Sequence, residues 1–567
     1  MFAGVPGCGI ADTRRRAFWW CAAAMIAITL GAGVAADETS RAATEAPRPA
    51  ERGPSAATTD SSEGAPQGVT APVIAHAPPD AQLAQAAKSR DISTVRELLR
   101  KRPNADVVNA STPDGTPALH WIVRIEDHAT ARLLIKAGAN INLANRYGVK
   151  PLHIAIENGD LAMVRLLLNA NADPNSSDPT GETSLMLAAR AGNLDIVKAL
   201  LSKGAPVDTR DPSYEQTALM IAVREGHTNV VQLLIQHHAD VNARTRAGKP
   251  PAFRTPASNS GSKGAGIVRG GWPERGERDP TPGAKTPLLY AAREGHTAIA
   301  QLLLKAGAGL DKADADGVTP LLMALMNNQL ALANTLIQQG ADVNAADWYG
   351  QTPLFTAVDI RNLDIPDPTH TNGVDREAAL ALIRTLLDRG ANPNARTREY
   401  PPQRRWITRL GSLSWVDFTG QTPFLRAALA GDITVMKLLI EHKADPNIAT
   451  FSGTTALMAA AGVNWTVAQT YDEGPQHLLE AVQFAHSLGN DVNAVNSMGV
   501  RAIHGAANRG SNDIIRFLVD RGAALDVADK EGRTPLTWAQ GVFLATHPPE
   551  PKPATIALLK QLQGGAS

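Results

Sequence analysis

The chain has 567 residues, of which 44% are hydrophobic but only 4% aromatic, and its 55 Lys and Arg balance 55 Asp and Glu. That length is too great for one ordinary globular core, and the scarcity of large rings points to thin layers of Leu, Ala, Val and Ile. With no formal net charge, no chain-wide field draws the protein to nucleic acid or to an acidic membrane surface. Residues 1–36 read as an export signal. Arg14, Arg15 and Arg16 give a positive start, Ala17 to Leu30 an apolar run, and Val34-Ala35-Ala36 a small-residue cleavage pattern. Cleavage is expected after Ala36; the alternative is an uncleaved membrane anchor. Cys8 and Cys21 are the only cysteines, so cleavage leaves neither disulfide nor thiol chemistry. Residues 37–79, rich in Ala, Pro, Ser, Thr and Glu without helical period, read as a disordered spacer.

From residue 80 one phrase recurs to the C-terminus. Its clearest copy spans Gly317 to Asn344. Thr319-Pro320 predicts a helix start, because Thr caps and Pro suits the first helical position. Leu321, Leu322, Ala324 and Leu325 give that helix an apolar side, Asn327-Asn328 a turn, and Leu330, Leu332, Ala333, Leu336 and Ile337 a second amphipathic helix. Gly340 ends it, and neither helix is long enough to stand alone. Units fill 80–245. The first, with Lys88, Arg90 and Arg96 and no Thr-Pro start, suits a terminal cap with one wet face. Asn171, His238 and Lys443 replace the terminating Gly in three units, and Lys443 is expected to be strained there. The period breaks over 246–284, resumes over 285–397 with an insertion between two helices near 360–375, breaks again over 398–418, and returns over 419–567. That last block has a second inter-helix insertion near 463–476 and a capping helix near Thr555–Leu562.

The matching phrases include Lys150-Pro151-Leu152-His153, Thr286-Pro287-Leu288-Leu289, Thr352-Pro353-Leu354-Phe355, Thr422-Pro423-Phe424-Leu425 and Thr534-Pro535-Leu536-Thr537, with Gly138-Ala139-Asn140-Ile141-Asn142 and Gly390-Ala391-Asn392-Pro393-Asn394 at the ends of units. With a period of about 33 residues, they resemble the ankyrin repeat. The resemblance implies an all-α solenoid of about twelve helix-turn-helix units joined by finger turns. By the same likeness 246–284 and 398–418 become long finger insertions. The stretch from Thr422 through Thr455-Ala456-Leu457-Met458 to Ile503-His504-Gly505 is similar to secreted bacterial ankyrin-repeat proteins.

Little in the pattern points to chemistry. His120, His153 and His504 stand where the family places its own His, and His227 and His296 lie in Glu-Gly-His turns; a structural role suffices for all five. No His-Glu-x-x-His spacing and no Cys cluster marks a zinc site. Asp311, Asp314, Asp316 and Gly317 resemble the start of a calcium loop, but aligning the glycine puts Lys312 at the first ligand position and Met323 at the closing Glu. No phosphate loop or nucleophile elbow is present. The acidic residues recur with the repeat, as scaffolding does, so no catalytic residue, cofactor or metal is expected.

What the repeat leaves unexplained are the insertions. Beyond the signal, Trp occurs at 121, 272, 348, 406, 415, 465 and 538, and four of these seven fall in inserted segments. Trp beside Arg is the composition of interface hot spots, which makes Arg404, Arg405, Trp406, Arg409 and Trp415, with Trp272 and Arg275, candidate partner-binding residues. The alternative is that Trp406, Leu410, Leu413 and Trp415 cover the solenoid's own groove. The expected function is an exported, non-catalytic scaffold, periplasmic or secreted, that binds a folded protein through a concave face and its finger insertions. The chain is expected to be monomeric, without nucleic acid and outside the membrane once the signal is cut; an uncleaved signal would anchor it to the inner membrane. A secreted effector acting on another cell's proteins, or an enzyme with a site built from the insertions, are the alternatives.

Overall fold

The computed structural model describes residues 81–248, 283–363, 374–398, 419–464, 474–542 and 549–564, all of which fall in the unit Ile74–Ser567. The described residues are helical, joined by turns, and make twelve helix pairs and one short extra helix. The pairs begin with α1 (Gln82–Lys88) and α2 (Ile92–Arg100). After the extra helix α3 (Ala105–Asn109) come α4 (Ala118–Arg124) with α5 (His128–Lys136), α6 (Pro151–Glu157) with α7 (Leu161–Asn169), α8 (Ser184–Ala191) with α9 (Leu194–Ser202), and α10 (Ala218–Arg224) with α11 (Thr228–Gln236). The central pairs are α12 (Pro287–Glu294) with α13 (Thr297–Lys305), α14 (Pro320–Met326) with α15 (Leu330–Gln338), and α16 (Pro353–Arg361) with α17 (Arg376–Asp388). The chain closes with α18 (Pro423–Ala430) and α19 (Ile433–Glu441), α20 (Ala456–Ala460) and α21 (Pro475–Ser487), α22 (Ala502–Arg509) and α23 (Asn512–Asp520), then α24 (Pro535–Gln540) and α25 (Pro553–Gly564).

Local chemistry sets each helix boundary. Thr319 Oγ1 accepts the Leu322 N–H at 3.3 Å ahead of Pro320, and Thr286, Thr352, Thr422 and Thr534 cap in the same way before their own prolines. Second helices are often capped by a carboxylate: Asp160 Oδ1 accepts from Met163 N–H at 3.0 Å, and Asp127 from Thr130 N–H at 3.0 Å. At the far end Gly340 turns left-handed at φ +90°, and the Ala341 and Gly340 amides return to Leu336 and Ile337 at 3.1 Å. Asn171, His238 and Lys443 take that conformation at φ +68°, +65° and +67°. The helix α3, capped by the Asn104 side chain, is an element beyond the two helices of the repeat pattern.

First helices pack on first helices and second helices on second helices, making two layers. The apolar side chain at the same turn of successive second helices fills the space between units: Leu134, Leu167, Leu200, Leu234, Leu303, Leu336, Leu439 and Leu518 are all fully buried.

A second contact is polar and recurs at six of the interfaces between units, while Asp208 and Asp311 only accept, from the Asp240 and Asp342 amides. The Asn142 amide donates from Nδ2 to the Asn171 carbonyl at 3.1 Å and accepts at Oδ1 from the Asp173 N–H at 2.8 Å, both in the next unit. Asn109 reaches Gly138 and Asn140, Asn344 reaches Gly390 and Asn392, and Asn493 reaches Gly522 and Ala524. The clip also closes across both breaks in the period. Asn242 bonds Gly307 O at 3.0 Å and Gly309 N at 2.8 Å, and Asn394 bonds Lys443 O at 3.2 Å and Asp445 N at 2.7 Å. The units on either side of 246–284 and of 398–418 are therefore direct neighbours in the stack.

Two variants test these end-of-helix contacts. Lys443→Gly removes a side chain from left-handed backbone and is expected to stabilise by about 1 kcal/mol. Asn394→Ala strips the Lys443 carbonyl and the Asp445 amide of their partner and is expected to cost about 1 kcal/mol. Urea unfolding of the single variants measures both.

Candidate protein-interaction surface

Trp272 and Arg275, and Arg404, Arg405, Trp406, Arg409 and Trp415, lie outside the described residues, as do most of the breaks in the period. What the structure describes is how those breaks attach. In an ordinary finger turn the base is closed by two backbone bonds, such as Asp314 N–H to Val318 O at 3.0 Å and Gly317 N–H to Asp314 O at 3.1 Å. At the first break Thr245 N–H reaches Lys285 O at 3.1 Å, and Ala284 N–H returns to Thr245 O at 3.2 Å. At the second, Thr397 N–H reaches Gln421 O at 3.0 Å and Gly420 N–H returns to Thr397 O at 2.9 Å. Each break thus replaces the tip of one finger turn and leaves its base intact. The two remaining insertions separate α16 from α17 and α20 from α21.

The first-helix layer presents one strip formed by the fourth, seventh and eighth residues of each helix, which share a side at helical spacing. From α4 to α12 the strip is open at its seventh and eighth positions, while the fourth residues Ile221 and Tyr290 are buried. Arg124, Glu157, Asn158, Arg190, Glu225 and Glu294 are exposed, and Trp121, Arg224 and Arg293 are half-buried. Lys88 Nζ sits 5.5 Å from the Trp121 ring and 2.8 Å from Asp114 Oδ2. Further along, Arg224 donates to Gln216 Oε1 at 3.4 Å, Gln216 donates to the Tyr290 hydroxyl at 3.3 Å, and the Arg293 guanidinium lies 5.4 Å from the same ring. Beside the strip, the finger-tip side chains of Tyr147 and Tyr214 are 62% and 59% exposed.

On α16 and α18 the same strip is closed. Thr356, Ile360, Arg426, Leu429 and Ala430 are buried and Asp359 is half-buried. Here two units exchange charges. Arg426 Nε lies 2.7 Å from Asp359 Oδ1 and its Nη2 donates to Asn362 O at 2.8 Å. In return Arg361 Nε lies 2.8 Å from Asp432 Oδ2, while Asp432 Oδ1 caps α19 through Val435 N–H at 3.2 Å. Arg376, the first residue of α17, donates to Arg361 O at 2.6 Å. The cluster ties the two ends of the α16–α17 insertion to the next unit. Repeat reasoning passes over it, although Arg426 is a cation where other units carry Leu187, Ile221 and Met323.

The family-position histidines bridge units. His120 Nε2 meets Val149 O at 2.9 Å, His153 Nε2 meets the Ser176 hydroxyl at 3.2 Å, and His227 Nε2 meets Arg190 O at 3.0 Å. His504 Nδ1 accepts from Arg501 N–H at 3.0 Å. Burial pushes the His120 and His504 imidazoles down to about 4, so they are neutral hydrogen-bonding groups. Asp314 spends its Oδ1 on the Asp316 and Val318 amides, both at 3.0 Å, as the turn between units, and burial raises its carboxyl to about 6. Among the described residues no group of three His, Cys, Asp or Glu is placed to hold a metal ion, and no helix is long and apolar enough to cross a membrane.

A stack of helix pairs with an open strip and projecting fingers is a protein-interaction module. A family model of three ankyrin-repeat copies matches residues 83–178, 170–245, 273–347 and 473–541, and a single-repeat model matches 419–448. These matches cover more than half of the sequence, and the chain belongs to the ankyrin-repeat family. Among curated proteins it is similar to the probable 26S proteasome regulatory subunit p28 of Saccharomyces cerevisiae, with 32% identity over 126 residues, 22% of this chain and 50% of that protein. It thus matches half the length of that relative. Among solved structures it is similar to the ankyrin repeat domain of Bcl-3, described as a unique member of the IkappaB protein family, with 26% identity over 43% of this chain and 94% of that one and a TM-score of 0.34.

Asp432→Ala strands Arg361 in a buried site and is expected to cost about 3–5 kcal/mol, read as a fall in the urea midpoint. The histidine shifts carry a pH sign. A folded-state pKa below the free value gives stability that is complete above about pH 6.5 and drains away as pH falls towards 4. His504→Gln removes one such proton, so the slope of stability against pH between those limits should fall by up to about 1.4 kcal/mol per pH unit. Denaturant titrations across the window measure it.

Proposed function

We propose that this protein is an exported, non-catalytic scaffold that holds a folded protein partner against its concave first-helix face and the two finger insertions. The observation that carries this reading is the finger bases closed at Thr245 and Thr397 under an unbroken stack. The two breaks fall at finger turns whose bases stay closed, and the units on either side stack as direct neighbours. With helices packed about 8–10 Å apart, insertions three units apart would stand about 30 Å from each other, a span suited to a folded domain. Residues 1–36 supply the export half of the reading, and the periplasm or the outside of the cell follows from cleavage after Ala36. A relative named as a probable 26S proteasome regulatory subunit is consistent with a role carried out by binding.

The test is affinity capture from an envelope extract with the mature chain as bait. Arg405→Ala and Trp406→Ala are each expected to reduce the captured partner several-fold at unchanged melting temperature. Capture equal to that of the parent chain would remove the 398–418 cluster from the binding surface.

A further inference from the structure

Two kinds of hydrogen bond to the backbone tie one unit to the next. One is the pair made by the asparagine clip. The other joins successive fingers: Arg146 N–H reaches Gly115 O at 3.2 Å, Arg246 N–H reaches Tyr214 O at 2.9 Å, Trp348 N–H reaches Asp316 O at 2.7 Å and Arg398 N–H reaches Tyr349 O at 2.7 Å. Around the α8–α9 unit three prolines stand where other units place a donor. Pro179 and Pro212 take the finger position of Arg146, Arg246, Trp348 and Arg398, and Pro206 takes the clip position of Asp173, Asn392 and Asp445. Proline has no N–H to give. Asn175, at the clip position of the α6–α7 unit, accepts from the Thr209 hydroxyl at 3.3 Å instead. Asp208, at the clip position of the α8–α9 unit, has no amide with which to donate to the next carbonyl. The two interfaces that flank α8–α9 thus keep one of six such bonds, Asp240 N–H to Asp208 Oδ1 at 3.0 Å. The two that flank α16–α17 keep all six, through Asn344, Asn394, Trp348 and Arg398.

What joins the units there is packing and side chains. Leu167, Leu200 and Leu234 are buried as their equivalents are elsewhere, so the units stay in contact. Arg210 Nη1 donates to Arg244 O at 2.7 Å, and His227 Nε2 meets Arg190 O at 3.0 Å. Apolar contact is non-directional, and a long side chain can follow a shifted carbonyl where a backbone N–H cannot. The prolines meanwhile fix φ in the turns they occupy, so the slack lies between units and not within them. We propose that the α8–α9 unit is a joint, on which the helix pairs before and after it slide as rigid blocks and change the curvature of the first-helix face. Sliding of packed helices is an established mode of domain motion. In a solenoid each unit contacts only its neighbours, so two loose interfaces in a row uncouple what lies on either side. The block α1–α7 moves relative to the block that carries both finger insertions. The joint belongs to the chain by itself and stands apart from the scaffold reading above, whatever the insertions bind.

Pulsed electron paramagnetic resonance on the full mature chain tests this. Cys8 and Cys21 leave with the signal, so introduced cysteines alone carry the nitroxide labels. Arg165→Cys with Gln232→Cys spans the joint, and Asn334→Cys with Lys437→Cys spans the fully tied pair of interfaces. All four sites are exposed and hold the same place on their second helices. The distance distribution across the joint is expected to be about twofold broader than that of the tied pair. Pro179→Arg, Pro206→Asp, Asp208→Asn and Pro212→Arg together borrow residues that other units hold at these positions, and should narrow it to the tied width. In the opposite direction, Asn344→Ala with Asn394→Ala should broaden the tied pair while circular dichroism shows the helices intact. Equal widths for the two pairs in the otherwise unaltered chain would overturn the proposal, whether or not the fourfold variant folds. So would a fourfold variant that keeps both its helices and its broad distribution, or a tied pair that stays narrow without its two asparagines.

Discussion

The contact between one unit and the next is what the rest of this protein depends on, and at six of these interfaces an asparagine side chain donates to one carbonyl and accepts from one amide of the following unit. Where Asn109, Asn142, Asn242, Asn344, Asn394 and Asn493 stand, they read the left-handed end of the neighbouring second helix. That end presents orphan carbonyls and amides that need partners. Because the clip recognises backbone, it tolerates Gly, Asn or Lys at the position it grips. Because it acts only between neighbours, stability is built one interface at a time. The buried leucines between second helices supply the apolar part of the same interface.

This local bookkeeping explains how the chain carries so much inserted sequence. A unit needs its finger base, its two helices and its clip; the finger tip enters none of these. Thr245 and Thr397 hold the base with the bonds an uninterrupted turn uses. Insertions between the two helices of a unit are different, since they separate elements that must pack together. The α16–α17 insertion is accompanied by the exchange of Arg361, Asp432, Arg426 and Asp359 between units. The charges are buried, and pairs of that kind hold geometry at a desolvation cost that apolar residues would avoid. Their presence beside an insertion fits a device that fixes where the helices go.

The first-helix layer is divided by the same features. Its strip is open and lined with cations in the N-terminal half, and closed over the charge exchange on α16 and α18. A surface that is repetitive in sequence is thus uneven in access. The open part combines arginine, tyrosine and tryptophan, the residues that dominate contact energies at protein interfaces.

Read from residues alone, the sequence determined the repeat, the Thr-Pro starts, the left-handed stops at Asn171, His238 and Lys443, the structural role of the histidines, and the places where the period breaks. Each rests on backbone chemistry or on spacing within about 33 residues, which a one-dimensional pattern records. Candidate contact residues in the insertions came from composition, which names a residue type without placing it. Only the tertiary structure decided that Asn242 and Asn394 reach across the breaks, that Arg361 meets Asp432 from a different unit, and that Arg124, Arg190, Arg224 and Arg293 share an open strip while Arg426 does not. Those facts depend on what lies over a side chain and on partners dozens of residues away. Burial and long-range pairing are properties of the packed stack, and no spacing within a single repeat encodes them.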